Sequence, residues 1–311
     1  MSPIEAECRP ISDHQLRAIA GHHGFAIEAD AAQPWTGATS CVYPLGADAV
    51  LKVSHDNAGA EQSLRIDVAV GSTMREAGVR TSRLIAFDDS ARLLSGPYAL
   101  YARISGLPLS SAGITAEDAV HAWQELGRDL AVVHEHVARH PGLDGLRSFD
   151  QSPDVDPRPW LDDLTATGCL SVAESDRLKI ILDQLAPVAF HPVRKRLCHG
   201  DVNAANILVA SDTSRYLAII DWAGAGWLDP AWDLAGIPLV AVPHVLRGHR
   251  QVAPFEGDET AEARALWCHT QYALHQLRSR SSAEAASLRS DAVRLIATVE
   301  AFLQVVGLDQ F

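Results

Sequence analysis

The stretch CHGDVNAANIL at residues 198–208, read together with IIDWAG at 219–224, decides how this chain is understood. Apolar runs flank both: residues 207–209 follow the first, and 217–220 lead into the second. Short apolar runs bounded by polar residues read as buried strands. The pair therefore predicts a loop entering one strand, a turn at 211–214, and a return strand ending at Asp221. A hairpin brings its two ends together, so Asp201, Asn206 and Asp221 are expected to converge. An acid, an amide and a second acid at one point can hold magnesium and orient a hydroxyl.

Working outward, composition sets the class. Of 311 residues, 47% are hydrophobic and 21% charged, an ordinary globular balance, and the length suggests two domains. No apolar run approaches the roughly 20 residues that cross a bilayer. The first residues, MSPIEAECRP, carry acids where a signal peptide carries basic residues and then an apolar core. A cytoplasmic, non-membrane protein is the expectation. Five cysteines, at 8, 41, 169, 198 and 268, form no C-x-x-C pair, which predicts reduced thiols and no zinc site. The net charge of −13 argues against nucleic acid as a partner and is compatible with a cationic ligand.

Ahead of the decisive stretch, strands come first and helices later. Residues 11–24 predict a short helix with Asp13 as N-cap, and 25–28 a first strand. WTGATSCVY (35–43), a turn at 45–48 and AVLKV (49–53) read as strand, turn, strand. Gly37, Thr39 and Ser40 form a small, hydroxylated loop that can offer N–H groups to phosphate; the same residues mark an ordinary turn. Lys52 stands in an apolar run, so its ammonium needs a partner or a ligand. A helix at 58–77 and strands at 82–87 and 96–104 follow, and ISGLPL (104–109) marks a boundary.

Beyond the boundary, 116–136 is the clearest helix. Ala119, Trp123, Leu126, Leu130 and Val133 recur at three- and four-residue steps, with Thr115 as N-cap. A polar loop at 140–159 and helices at 173–186, 261–278 and 283–306 complete the chain. The order predicts an α+β, bilobal fold: a small β-rich N-terminal lobe (1–103) and a larger, mainly helical C-terminal lobe (104–311).

These signals line up. His199, Asp201 and Asn206 fit H-x-D-x-x-x-x-N, with Asp221 after the next strand, which is the catalytic spacing of protein kinases. A Gly-containing hairpin, a strand lysine, an acid-bearing helix and a connector precede it. The chain thus resembles the aminoglycoside phosphotransferase family, a branch of the protein-kinase-like fold that phosphorylates small molecules. HGDVNAANIL and IIDWAGAGWLDPAWDLA carry the resemblance, which runs from about Trp35 past residue 260. Gly200 and Trp222 match this branch, and no A-P-E segment follows Asp221 as in protein kinases proper.

The resemblance implies ATP, or GTP in its place, and Mg2+ as cofactors. It implies that Asp201 accepts the proton of an acceptor hydroxyl, that Asn206 and Asp221 hold the magnesium, and that Lys52 contacts the α- and β-phosphates. Counting back from AGVRTSRLI puts the acidic partner of Lys52 at Asp67, where the family usually has Glu; Glu61 is the other candidate. Gly37, Thr39 and Ser40 loosely match the phosphate-covering loop. Tyr101, Ala102 and Arg103 match the hinge whose backbone bonds a purine, with backbone contacts expected at Ala102 and Arg103. His199, Asp229 and Asp233 fall at bracing positions.

The implied function is transfer of a γ-phosphate to a hydroxyl of a small molecule, such as an aminoglycoside antibiotic, by positioning and charge neutralisation. Glu256, Asp258, Glu259 and Glu262 are compatible with a polycationic acceptor and also with a solvated loop and helix start. Trp227, Trp232, Trp267 and Tyr272 would suit a larger apolar acceptor such as a macrolide, and equally a core. A metabolite kinase for a sugar, choline or homoserine would share the fold. From another class, a non-catalytic nucleotide-binding pseudokinase is the rival; the intact Lys52, Asp201, Asn206 and Asp221 stand against it. A metallohydrolase using His199 and Asp201 as ligands is a third reading. The 14 histidines show no H-E-x-x-H spacing and read as surface or core residues.

Overall fold

The computed structural model describes residues 9, 11–25, 34–135, 155–279 and 285–307. The chain divides into two compact units. The first takes the described residues up to Ala112 together with Ala205–Ala225; the second takes those from Gly113 to Ala204 and from Gly226 onward.

In the first unit, α1 (Asp13–His22) precedes a five-stranded antiparallel sheet of β1 (Trp35–Thr36), β2 (Ser40–Leu45), β3 (Ala49–Ser54), β4 (Leu84–Asp88) and β5 (Tyr98–Ala102). The strand order is β1-β2-β3-β5-β4. Side chains alternate across a strand, so Ala49, Leu51 and Val53 share one face and pack with Leu16 and Ile19 of α1. Val50 and Lys52 take the opposite face. There α2 (Ala58–Glu76) packs Leu64 against Ala99 and Tyr101. Asn57 caps α2 by accepting the Ala60 N–H at 2.8 Å.

The N-cap of α1 is Ser12, not Asp13. Its extended backbone lets the hydroxyl accept from Gln15, which reaches back to the Ser12 N–H to complete a capping box. The strand expected at 25–28 is not seen at Phe25, and the rest of it lies outside the described residues.

The decisive stretch supplies the second sheet of this unit. Strands β8 (Ile207–Val209) and β9 (Tyr216–Ile219) pair antiparallel across a turn, and β6 (Leu107–Pro108), from the expected connector, joins the edge of β8.

In the second unit, β7 (Arg196–Cys198) pairs antiparallel with β10 (Gly226–Leu228). Six helices accompany them among the described residues: α3 (Val120–Glu135), α4 (Arg158–Ala166), α5 (Val172–Ala189), α6 (Val242–Arg250), α7 (Ala261–Ser279) and α8 (Ala285–Val305). α3 and α6 cross at backbone contact. A Cβ added to Gly127 would overlap the Val245 carbonyl oxygen, and one added to Gly248 would overlap that of Gln124. Most of the loop expected at 140–159 lies outside the described residues, and α4 begins at its end.

Cys169, Cys198 and Cys268 are buried free thiols. Cys41 is disulfide-bonded, which corrects the expectation of reduced thiols throughout; one bridge leaves no spacing signature in a sequence. No described helix is long and apolar enough to cross a membrane.

Candidate active site

The strand period that aims Lys52 at α2 builds the core of the site. Lys52 is 7% exposed, and Asp67 beneath it on α2 is 4% exposed. The Lys52 ammonium donates to Asp67 Oδ2 at 3.0 Å and to Asp221 Oδ1 at 2.9 Å. The same Asp67 Oδ2 accepts the Tyr101 hydroxyl at 2.8 Å, and Oδ1 accepts the Trp222 N–H at 2.7 Å. One carboxylate thus ties β3, α2, β5 and the residue after Asp221 together. Burial alone would lower the Lys52 pKa, but Asp67 and then Asp221 outweigh it and hold the ammonium above its ordinary value. Burial, then the Asp67 charge, pushes the Tyr101 phenol up. Both groups therefore stay protonated at neutral pH.

Asp221 ends the hairpin in the left-handed region, with φ 69° and ψ 72°. Few non-glycine residues adopt this conformation, and Asp is among those that do. It turns the carboxylate back toward Lys52 and the Trp222 N–H toward Asp67. The Trp222 indole is buried beside Gly71, and its Nε1–H donates to Thr81 Oγ1 at 2.9 Å. Across the β8–β9 ladder, the Asn206 carbonyl accepts the Ile220 N–H at 2.9 Å. The ladder therefore brings Asn206 alongside the segment leading to Asp221. An amide and a carboxylate offer the hard oxygen donors magnesium takes, and the Asp221 side chain is 39% exposed. The residues fit that ion.

A pocket of about 110 Å³ opens on this cluster, lined by Val42, Val50, Lys52, Tyr101, Ile220 and Asp221 among others. Glu61, the other candidate partner for Lys52, turns instead to Arg9 at 2.7 Å. Gly37 and Ser40 close a turn between β1 and β2, the Gly37 N–H donating to the Ser40 carbonyl at 2.8 Å, while the Thr39 carbonyl accepts the His55 N–H at 2.9 Å. The Ala102 and Arg103 N–H groups donate to the Arg83 and Asp48 carbonyls, each at 2.8 Å. Their N–H groups are therefore already used within the protein.

Asp201 lies in the second unit and is exposed. Its N–H donates to His199 Nδ1 at 3.3 Å, and its Oδ1 accepts from Asn203 Nδ2 at 2.9 Å. His199 is fully buried and braces the loop from inside. Asp233, also fully buried, accepts the His199 and Gly200 N–H groups at 2.9 and 2.8 Å and faces His134 Nε2 at 3.0 Å. Asp229 pairs with buried Arg264. Glu256 is held by Arg196 at 2.8 Å, and Asp258 and Glu262 by Arg250 at 2.8 and 3.1 Å. Trp267 is a core residue, whereas Tyr272 is half-buried and senses the Asp201 charge.

Three contacts here were not assigned from the sequence. The Tyr101 side chain and the Trp222 amide share Asp67, and His134 faces Asp233. The resemblance marks Trp222 as a branch residue and Tyr101 as a hinge residue but gives neither this contact, and His134 has no signal, since each contact depends on which element packs opposite.

A family model described as the phosphotransferase enzyme family matches residues 31–267. No curated protein matches the sequence. Among solved structures, the GDP complex of aminoglycoside 2'-phosphotransferase-IIIa is similar at 14% identity, with a TM-score of 0.68, covering 93% of this chain and 97% of that one. Macrolide 2'-phosphotransferase from Brachybacterium faecium is similar at 19% identity and a TM-score of 0.60, covering 89% and 97%. Spectinomycin phosphotransferase, in complex with ADP and spectinomycin, is similar at 16% identity and a TM-score of 0.59, covering 95% and 94%. At these identities the likeness is one of fold, and it makes the α+β architecture kinase-like.

Proposed function

This chain belongs to the phosphotransferase enzyme family, and from that premise we propose that it moves the γ-phosphate of ATP, or of GTP, to a hydroxyl of an antibiotic. The observation that carries the reading is the buried Lys52 held between Asp67 and Asp221. A buried ammonium is costly unless paired. Here it is paired and still borders a pocket, where phosphate oxygens would complete its donors. Lys52 neutralises the α- and β-phosphates, and Val42, Val50 and Ile220 give the nucleotide apolar walls. Gly37, Thr39 and Ser40 cover the phosphates, and the Ala102 and Arg103 backbone borders the base through carbonyl oxygens. Asn206 and Asp221 would hold Mg2+, which supplies charge neutralisation on the phosphates when bound. Asp201 takes the proton from the acceptor hydroxyl and aims its oxygen. Asn203, on the Asp201 carboxylate, fixes the direction of that acceptor oxygen. A cytoplasmic location fits this nucleotide dependence.

Aminoglycosides are the first acceptor class to consider, because the similar aminoglycoside 2'-phosphotransferase-IIIa carries that class in its name and is also solved with kanamycin bound. A macrolide-type acceptor is the second reading. Glu256, Asp258 and Glu262 are engaged by arginines, whereas half-buried Tyr272 lies near Asp201 and edges onto Trp232.

The test is nucleotide turnover and product mass across panels of aminoglycosides and macrolides, for the wild type and Asp201→Asn. Asp201→Asn should lower turnover by about 10²-fold or more with nucleotide binding kept. Full turnover in that variant would remove Asp201 from its role. Binding of Mg-nucleotide by the wild type without turnover on either panel would sink the antibiotic reading.

A further inference from the structure

Asp233 anchors the backbone of the loop that carries Asp201, and two histidines line up behind it. His134 Nδ1 lies 3.1 Å from His249 Nε2, and His249 Nδ1 lies 3.1 Å from the Ala253 carbonyl oxygen. His134 is 3% exposed and His249 is 2% exposed. The Gly127–Gly248 crossing of α3 and α6 is what lets rings from the two helices meet: with a side chain at either glycine the helices could not approach this closely.

The protons along this line can be counted. A carbonyl oxygen only accepts, so His249 Nδ1 carries a proton. Two ring nitrogens at 3.1 Å share one proton, since none leaves two lone pairs opposed and two would collide. His134 Nε2 faces a carboxylate and carries a third. Two neutral imidazoles hold two protons, so the pair holds one positive charge. Placing the extra proton on Asp233 is disfavoured, because two main-chain N–H groups on its oxygens favour the ionised form. Burial would raise the Asp233 pKa, but His134 and the N–H donors outweigh it and hold the group below its ordinary range. His134 faces the Asp233 carboxylate, whereas His249 faces only the His134 ring and a carbonyl, so the charge of the pair sits on the carboxylate side; burial, and then His134, holds His249 down.

Other groups face the pair. From β7 come Arg196 and Cys198, and from the residue after it His199; on α6 Arg250 follows His249; and the Phe255 ring packs on both imidazoles. Cys198, His134 and Asp233 lie close enough together to suggest a metal site. However, burial pushes the Cys198 thiol up, and the histidine and carboxylate are in direct hydrogen-bond contact, so a proton fills that place.

We propose that His134 and His249 are a positioning pair sharing one positive charge, which holds Asp233 ionised and the His199–Gly200 backbone in register for Asp201. The functional part rests on the assignment of Asp201 above; the charge count does not.

The test combines 15N-histidine NMR of the full chain with kinetics of two variants. The wild type should show His134 with both ring nitrogens protonated and His249 as a neutral Nδ1–H ring, from pH 6 to 8. His249→Gln keeps an acceptor for His134 and should stay within about twofold of wild-type kcat. His249→Leu removes it, and kcat should fall about tenfold, the lower end of what an orienting partner is worth. The nucleotide KM should not change, and the alkaline limb of the kcat profile should move to lower pH. Two neutral rings at pH 7, or equal kcat in the two variants, would overturn the proposal. If His249→Leu does not fold, the NMR count decides by itself. Full turnover by Asp201→Asn would remove the catalytic reading while leaving the charge count standing, so the two failures are distinguishable.

Discussion

Asp67 in the first unit and Asp233 in the second solve one problem with different cations. Each is a buried carboxylate that accepts main-chain N–H groups next to a candidate catalytic residue. Asp67 takes the Trp222 N–H beside Asp221; Asp233 takes those of His199 and Gly200 just ahead of Asp201. A buried charge has to be paired. Asp67 is paired with Lys52, and Asp233 with His134. The lysine keeps its charge at any pH near neutrality and borders a pocket, so whatever enters that pocket acts on the anchor. The imidazole's charge, as proposed above, is one that the ring pair shares through its hydrogen bond. One anchor is therefore coupled to a ligand and the other to proton concentration.

The largest expected effect breaks the comparison by removing each acid. Asp233→Ala leaves the buried His134 ring and two main-chain N–H groups without their acceptor, and should cost about 3–5 kcal/mol. Asp67→Ala leaves Lys52 with Asp221, so its cost should be smaller, about 1–3 kcal/mol. It should also weaken nucleotide binding, which Asp233→Ala should not do if the protein stays folded. Denaturant midpoints and nucleotide titration check both; equal stability losses would show that the cation's second partner at Lys52 is of no consequence.

Next in size is the response to pH. Unfolded His249 takes up a proton below about 6.5, while the folded residue does so only near 3. Between those values the unfolded state binds more protons, so stability rises with pH and falls as pH is lowered. One such group gives a slope of about 1.4 kcal/mol per pH unit. Buried His269, held down to about 4, adds in the same direction. Lys52 has the opposite sign: its raised value contributes stability that is complete below about 10.4 and is lost only above that. Urea midpoints from pH 6.5 to 4.5 should fall in the wild type and fall less steeply, by about one proton, in His249→Gln. An unchanged slope would remove His249 from this role.

How much of this was legible follows from the range of each interaction. The α+β order, the β8–β9 hairpin and the helix holding Asp67 follow from local periodicity and spacing, which a sequence displays. Lys52 in an apolar run announced a need for a partner, and the family resemblance, counted back from AGVRTSRLI, placed that partner at Asp67. The Asp233 anchor was legible only as a likeness. Its partner ring comes from α3, the second ring from α6, and their meeting depends on Gly127, inside the expected helix 116–136, and on Gly248, in a helix the sequence did not announce. Gly127 does not stop the α3 pattern and Gly248 lies in a helix of nine residues, too short to show a period. The backbone of Ala102 and Arg103 was expected to bond a purine, and which of its groups are open to one was not legible: strand and loop neighbours take the two N–H groups. Pairing of that kind is set by register, which composition does not encode.

The smallest effect sharpens the Asp67 side. Gly71 lies on α2 over the Trp222 ring, and a Cβ there would sit 3.0 Å from Trp222 Cδ1. Alanine in place of glycine favours the helix by about 1 kcal/mol. Against that, the ring cannot turn freely: it is buried and bonded to Thr81. It must shift by a few tenths of an ångström and draw its own N–H away from Asp67. The two effects are opposed and similar in size, so Gly71→Ala should change stability by less than about 1 kcal/mol. The effect on function should not cancel, because a longer Trp222–Asp67 contact disturbs Asp221 and Lys52 directly. Nucleotide affinity should fall severalfold while the urea midpoint hardly moves. If affinity and midpoint both stay at wild-type values, the Trp222 N–H is not what couples Asp67 to the residues facing the pocket, and Lys52 alone makes that connection.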